Sequence, residues 1–451
     1  MAVPGQDLQI SEQMLNAFTA LTRKHQVPGA QFAIYHGGLC FAHEIGELEF
    51  ETGLPVTRDA VFPISSITKS FTATVAMILV ADGDVDLDAP IHNYVPEMGD
   101  LGAMINLRQL LSHTSGLAES SGMEEKSSSS LRQYIVEHVC GRNLVQPPGT
   151  GFSYSNPGYI VAGRLIETVT GMSWSEAVES ILLRPLGIEA AYVNQHGNIP
   201  PRRQIATGHS VNTAVGRTRP VRQELVPAFA PAGALALSAT DLVKLGLIHV
   251  GPGKPEVLLA TYARQMRQAV PRADPFGLAD GWGPGLAVYR QQSAEWVGHD
   301  GNAYGTSCYV RINPADGWVV ALTSNSNTGA GLWRDLQPEL ARAGVPINLP
   351  RIPAQGGPRV APPSGCVGQY INGDIQCTVK ADSDGTVYLS ADGEKFVRLA
   401  FHENSTFSVS DPTSLSQVST GRFVRDPATG KIYGIHVGGR FVRRRQRVIG
   451  A

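Results

Sequence analysis

The amino-acid sequence predicts an α/β fold, an antiparallel sheet flanked by helices, followed by a small C-terminal antiparallel β-barrel. Strand-type alternation occurs early, in GAQFAIYHGG and GLCFAHEIG, and returns only from Trp282 onward, in GLAVYR, TSCYVRI and GWVVALTSN. Helical spacing dominates from the first helix after this hairpin to about residue 190. Strands at both ends of such a segment form one sheet when the returning strands lie beside the first pair. Between Val345 and Gly365 the chain turns to proline and glycine (PINLPRIPAQGGPRVAPPSG), the composition of an extended linker. Past it, short alternating segments such as TVYLS and KIYGIHV are punctuated by the turn signals SDG, ADGEK, DPATGK and VGGR. The expected units are residues 1–345, a linker over 346–365, and a β domain over 366–451.

Each element has a local cause. Over residues 11–25, Met14, Leu15, Phe18 and Leu21 recur on one helical face, Ser11 offers an N-cap, and Val27, Pro28 and Gly29 end the run. Gly37 and Gly38 separate the first two strand patterns as a hairpin turn would. After FPISSITKSF, the residues Ile67, Phe71, Val75, Ile78 and Leu79 keep helical spacing up to the turn at Asp82 and Gly83. The tract KSSSS, residues 126–130, reads as a loop, and no repeat at solenoid periods occurs.

Charged residues make up 17% of the 451 residues and the net charge is near −2, which calls for neither nucleic acid nor an anionic membrane as partner. The five cysteines (Cys40, Cys140, Cys308, Cys366 and Cys377) are scattered and without CxxC spacing, as suits a reducing compartment. The start MAVPGQDLQISEQML lacks the basic and apolar regions of a signal peptide, and no apolar run approaches a bilayer's thickness. A soluble, cytoplasmic protein is expected.

The chemistry-bearing stretch is FPISSITKSF. Ser66 and Lys69 form an SxxK pair, and i, i+3 spacing on a helix stacks both side chains on one face. Amides at a helix N-terminus stabilise developing negative charge, and a partly desolvated lysine can take the serine proton. Alone, the same lysine would read as a solvated surface charge. In PPGTGFSYSNPGYIVAGRLIETVTG, Tyr154, Ser155 and Asn156 form a YxN arrangement on a loop before a helix. A phenol beside an ammonium ionises more easily and can shuttle a proton, whereas a lone loop tyrosine would only pack. In GHDGNAYGTSCYV, His299, Asp300 and Gly301 open a strand whose small residues let a substrate backbone lie close. His299 is neutral or cationic near physiological pH; standing alone it would be read as structural. There is no GxSxG elbow, HExxH motif or Walker loop, and GWGPG at 281–285 leads into a strand pattern, so no cofactor or metal is expected.

Together the three elements resemble the serine β-lactamase and penicillin-binding protein superfamily, in its class C β-lactamase, D-aminopeptidase and esterase branch. The motifs of that superfamily are SxxK, YxN, and a KTG or HxG triplet on an edge strand. The likeness covers residues 10 to about 345 and takes in LLSHTSGL at 110–117 and APAGALALSATDLVKLG. It implies Ser66 as the acylated nucleophile, Lys69 as its activator and Tyr154 as general acid and base. It further implies that Asn156 orients the substrate amide and Lys69, that His299 replaces the KTG lysine beside Gly301, and that the backbone amides of Ser66 and Asn302 form the oxyanion hole. Ser65 lacks the spacing to Lys69 and is a bystander. A lysine at the triplet grips a carboxylate, so the histidine form speaks against antibiotic hydrolysis.

Within that superfamily the chain resembles penicillin-binding-protein-type thioesterases, which carry a lipocalin-like C-terminal β domain and no signal peptide. This likeness implies a peptidyl thioester substrate, a peptidyl carrier protein of a nonribosomal peptide synthetase as partner, a D-residue acyl donor, and head-to-tail cyclisation. An esterase or a D-stereospecific aminopeptidase or amidase, with water as acceptor, stays open. The basic run GGRFVRRRQR, with Arg440, Arg443, Arg444, Arg445 and Arg447, reads in two ways. It is a solvated tail, or it supplies an arginine, with Arg444 and Arg445 as candidates, for a substrate carboxylate or an acidic carrier protein.

Overall fold

The computed structural model describes residues 12–120, 130–193, 202–291, 294–303, 305–347, 359–410 and 418–445. Ser11, most of the KSSSS tract, residues 348–358 of the expected linker, and Arg447 lie outside them.

Seven strands make one antiparallel sheet: β1 (Gly29–His36), β2 (Leu39–Gly46), β3 (Gly281–Trp282), β4 (Ala287–Gln291), β5 (Ala294–Ala303), β6 (Thr306–Asn313) and β7 (Trp318–Ser324). Their order is β2-β1-β7-β6-β5-β4-β3, so the returning strands do close against the N-terminal hairpin. That hairpin turns at Gly37 and Gly38 with φ of 58° and 87°, left-handed values that favour glycine. In β6 every residue is buried, because both faces of this central strand are covered. On one face pack α1 (Glu12–Lys24) and, from the far end of this unit, the helix Gly329–Arg342, through Met14, Phe18, Phe32, Leu332 and Leu336. Phe18 has no exposed surface, a burial that contributes about 2 kcal/mol.

On the other face lies a helical layer centred on α2 (Thr68–Asp82), in which every residue from Thr68 to Leu79 is buried. A helix buried all round must satisfy its polar side chains internally. Ser70 Oγ donates to the Gly285 carbonyl at 2.9 Å and Thr72 Oγ1 to that of Pro231 at 2.7 Å. The helix ends at Gly83, whose φ of 85° makes a left-handed cap.

The C-terminal segment is a closed eight-stranded antiparallel barrel, β8 (Gly368–Asn372), β9 (Ile375–Ala381), β10 (Val387–Ala391), β11 (Val397–His402), β12 (Thr406–Ser410), β13 (Val418–Arg425), β14 (Ile432–Val437) and β15 (Arg440–Arg444). The last strand pairs with the first, Tyr370 opposite Arg444 and Ile371 opposite Arg443. The basic run is therefore the closing strand of the barrel up to Arg444, not a tail.

Other departures from the sequence reading have simple causes. The strand carrying His299 starts at Ala294 rather than at the histidine, since Gly298 breaks the apolar alternation before it. Phe62–Pro63, Ala191–Tyr192 and Leu235–Leu237 form a further small sheet, with strands too short to show any period. No helix among the described residues is long and apolar enough to cross a membrane.

Pairing of β5 with β4 stops at Gly298, whereas pairing with β6 continues to Ala303. One edge of β5 from His299 onward is thus open, and it runs past the turn that carries Ser66. The approach is close: a Cβ on Gly301 would stand 2.0 Å from the Ile64 carbonyl oxygen. Gly301→Ala is expected to lower stability by about 2 kcal/mol and to misplace the strand. Urea unfolding followed by circular dichroism checks this, and an unchanged midpoint would mean that the strand and the turn do not touch.

Candidate active site

Ser66 sits in a 3-10 turn, Ser65–Ile67, that runs directly into α2. Ser65 has φ of 49°, a left-handed conformation for a residue with a Cβ, so the turn beside Ser66 is strained. The predicted stacking is present: Lys69 Nζ lies 3.2 Å from Ser66 Oγ. The lysine has no exposed surface and donates to the Ala232 carbonyl at 2.8 Å. Burial lowers its pKa to about 7; Glu119 acts against that shift and Arg440 with it. A large fraction of the amine is therefore neutral near pH 7, with a lone pair available beside the serine hydroxyl.

Tyr154 is hydrogen-bonded to Ser66, and Lys69 Nζ lies 5.1 Å from the centre of its ring. The expectation of an easily ionised phenol is not met. Burial pushes the Tyr154 hydroxyl up, and this outweighs the lowering by Ser66 and Arg440. Tyr154 is thus a proton donor in the resting site, and the neutral lysine is the better base. Its ring stacks on His113, with centroids 4.2 Å apart. His113 is buried, and its Nδ1 accepts from the Ser155 amide at 3.0 Å, so it holds the loop just before the helix α3 (Asn156–Thr170). Ser155 caps that helix by accepting from the Gly158 amide at 3.1 Å.

Asn156 faces the same cavity, but its amide donates to Glu119 Oε1 at 2.8 Å, and no bond joins it to Lys69. Glu119 Oε2 in turn accepts from Arg440 Nε at 3.3 Å, and Arg440 lies 5.4 Å above the Tyr154 ring. Arg440 belongs to β15, so the barrel reaches the site. Arg444 does not: its guanidinium binds the Val367 and Gly365 carbonyls and the Tyr370 hydroxyl at the barrel's own seam. Arg445 is exposed and follows the last strand, its amide bonded to the Gln369 carbonyl at 2.8 Å. Neither lines the cavity. Alternation puts Arg440 and Arg444 on one face of β15, and they differ in their place along it: Arg444 ends the strand at the seam with β8, opposite Tyr370, while Arg440 begins it at the end nearest Tyr154.

His299 Nδ1 is 2.7 Å from the Asp300 carbonyl, so this nitrogen carries the proton and Nε2 is an acceptor. Nε2 is buried without a hydrogen-bond partner among the described residues. Burial and then Lys69 lower the pKa of His299 to about 4, so the ring is neutral at physiological pH rather than cationic. Asp300, next in the strand, is paired with the buried Arg311 at 2.5 Å. Asn302 lies on the open edge of β5, its side-chain oxygen accepting from the Tyr309 hydroxyl at 3.1 Å.

Ser66, Tyr154, Asn156, His299 and Asn302 thus line one cavity of about 600 Å³ with Glu119 and Arg440, and Lys69 and Gly301 pack directly behind its wall. Such a volume accepts part of a peptide. Sequence reasoning overlooked Glu119 and His113, although the latter is the histidine of LLSHTSGL, and named Arg440 only as one of five arginines.

The β-lactamase family model matches residues 14–344. Penicillin-binding protein 4 of Amycolatopsis lactamdurans is 31% identical over 363 residues, which cover 77% of this chain and 95% of that protein. Two crystal structures of SurE, one with D-Leu, align over 96% of this chain and 99% and 98% of their own, with TM-scores of 0.83 and 0.85 and identities of 36% and 37%. The D-amino acid amidase of Ochrobactrum anthropi SV3, complexed with L-phenylalanine amide, aligns over 74% of this chain and 100% of its own, with a TM-score of 0.63 and 25% identity.

With Lys69 as base, the rate of serine acylation rises through about pH 7 as the amine loses its proton. Glu119 favours the ammonium, so Glu119→Gln is expected to move this acid limb to lower pH. The pH profile of kcat/KM reads the shift, and a limb that moves upward would contradict the assigned electrostatics.

Proposed function

The chain belongs to the β-lactamase family of serine enzymes, and from that membership we propose that it is a peptidyl thioesterase that cyclises its product. The substrate is the thioester of a nonribosomal peptide on its carrier protein, with a D residue as acyl donor. Neutral Lys69 takes the Ser66 proton as Oγ attacks the thioester carbonyl. The backbone amides of Ser66 and Asn302 hold the oxyanion, and collapse forms the acyl-serine while Tyr154 protonates the departing thiolate. The peptide's own amine then attacks the ester and gives its proton to the Tyr154 phenolate left by the first step, while protonated Lys69 returns its proton to Ser66 Oγ as the ester C–O bond breaks and the macrolactam leaves.

The observation that carries this reading is the likeness to SurE over 96% of the chain, barrel included, together with a barrel residue, Arg440, inside the site. The D-Leu bound in one SurE structure supports a D-configured donor. The amidase supports an alternative in which water is the acceptor, but its match covers only 74% of this chain.

A panel of peptidyl N-acetylcysteamine thioesters ending in D or L residues tests the proposal by mass. Loss of thiol with no water gained, for D-ending peptides, is the expected result. Linear acids alone would rule out cyclisation, and turnover that survives in Ser66→Ala would remove the nucleophile.

A further inference from the structure

The barrel touches the catalytic unit at more than Arg440. Asn372, in β8, is 1% exposed, and both ends of its amide reach across the boundary, its nitrogen also bonding within the barrel. Its Oδ1 accepts from the Glu119 amide at 2.8 Å, and its Nδ2 donates to Ser153 Oγ at 3.2 Å and to the Phe441 carbonyl at 2.9 Å. Ser153 Oγ also accepts from the Phe441 amide at 3.2 Å. The Asp374 amide donates to the Glu119 carbonyl at 3.2 Å, and the Tyr154 amide donates to the Gly439 carbonyl at 3.0 Å. The barrel therefore grips Glu119 by its amide, its carbonyl and its carboxylate, and holds Ser153 and Tyr154 beside it. Space is tight as well: a Cβ on Gly373 would stand 1.8 Å from the Glu119 carbonyl oxygen.

We infer that the barrel is a structural part of the active site, and that Asn372 is a positioning residue which sets Tyr154 through Ser153 and Asn156 through Glu119. Loss of this amide leaves buried partners unsatisfied at both residues, a cost that falls on the geometry of the site. The inference rests on acylation of Ser66, and is independent of whether an amine or water removes the acyl group. It differs from a barrel that only forms a wall for a large substrate, because the effect then extends to reagents too small to touch the barrel.

The test is labelling of Ser66 in the full chain by a small alkyl fluorophosphonate, followed by intact mass from pH 5 to pH 9. Asn372→Ala is expected to slow labelling by about tenfold and to displace its acid limb toward lower pH, since Glu119 is less firmly held near Lys69. Arg142→Gln serves as the control: it breaks the Arg142–Asp374 pair at the same boundary, 2.6 Å and partly exposed, and should leave the rate within about twofold. Ser153→Ala keeps the barrel sequence intact and should slow labelling severalfold, which decides the matter if Asn372→Ala does not fold. Wild-type labelling and pH profile in Asn372→Ala, or equal slowing by Arg142→Gln, would overturn the inference; linear rather than cyclic products would not touch it.

Discussion

The contact on which the site depends is that between the Lys69 amine and the Ser66 hydroxyl, made at 3.2 Å by a lysine with no surface open to water. Removing an ammonium from water is costly, and the protein escapes the cost by letting the group lose its proton near pH 7. That is possible only because α2 is buried on every side, which in turn needs the sheet on one face and the helical layer around it. The fold is the means by which one amine is kept dry next to one hydroxyl.

Dryness alone would push the lysine further than catalysis wants, since a weak base takes a proton poorly. Glu119 pulls back, and Arg440 limits that pull by sharing the carboxylate. The two opposing charges lie 321 residues apart in sequence and come from different parts of the fold. Tuning of the base is therefore tied to docking of the barrel, which explains why a β domain so small bears buried polar contacts such as those of Asn372, whose burial is favourable only when each partner is present.

Local patterns made the sheet, α2 and the three stretches that meet at the cavity readable, because i, i+3 spacing, helix caps and glycine turns act over a few residues. The spacing of Ser66 to Lys69 is such a case, and so is the loop of Tyr154 ahead of its capped helix. What stayed hidden depends on long-range placement. Nothing near Glu119 in the sequence points to Asn156 or Arg440, and nothing distinguishes Arg440 from Arg444, which share a face of their strand, except the end of that strand at which each stands once it closes a barrel. The neutral state of His299 and the raised phenol of Tyr154 were equally out of reach, as both follow from burial that only packing creates.

Charge at the site bears on what it can accept. With His299 neutral and its Nε2 an acceptor, the open edge of β5 offers no cation to a carboxylate at this position. Asp300 next to it is already satisfied by Arg311, and the cation Arg440 is shared with Glu119. A substrate with a carboxylate beyond its reacting carbonyl would meet little to hold it. In a peptidyl thioester the reacting carbonyl is itself the end of the peptide, with no carboxylate past it. For the proposed thioester a cationic grip is then not needed, and an unprotonated acceptor in the cavity that holds Ser66 suits a group that arrives bearing N–H.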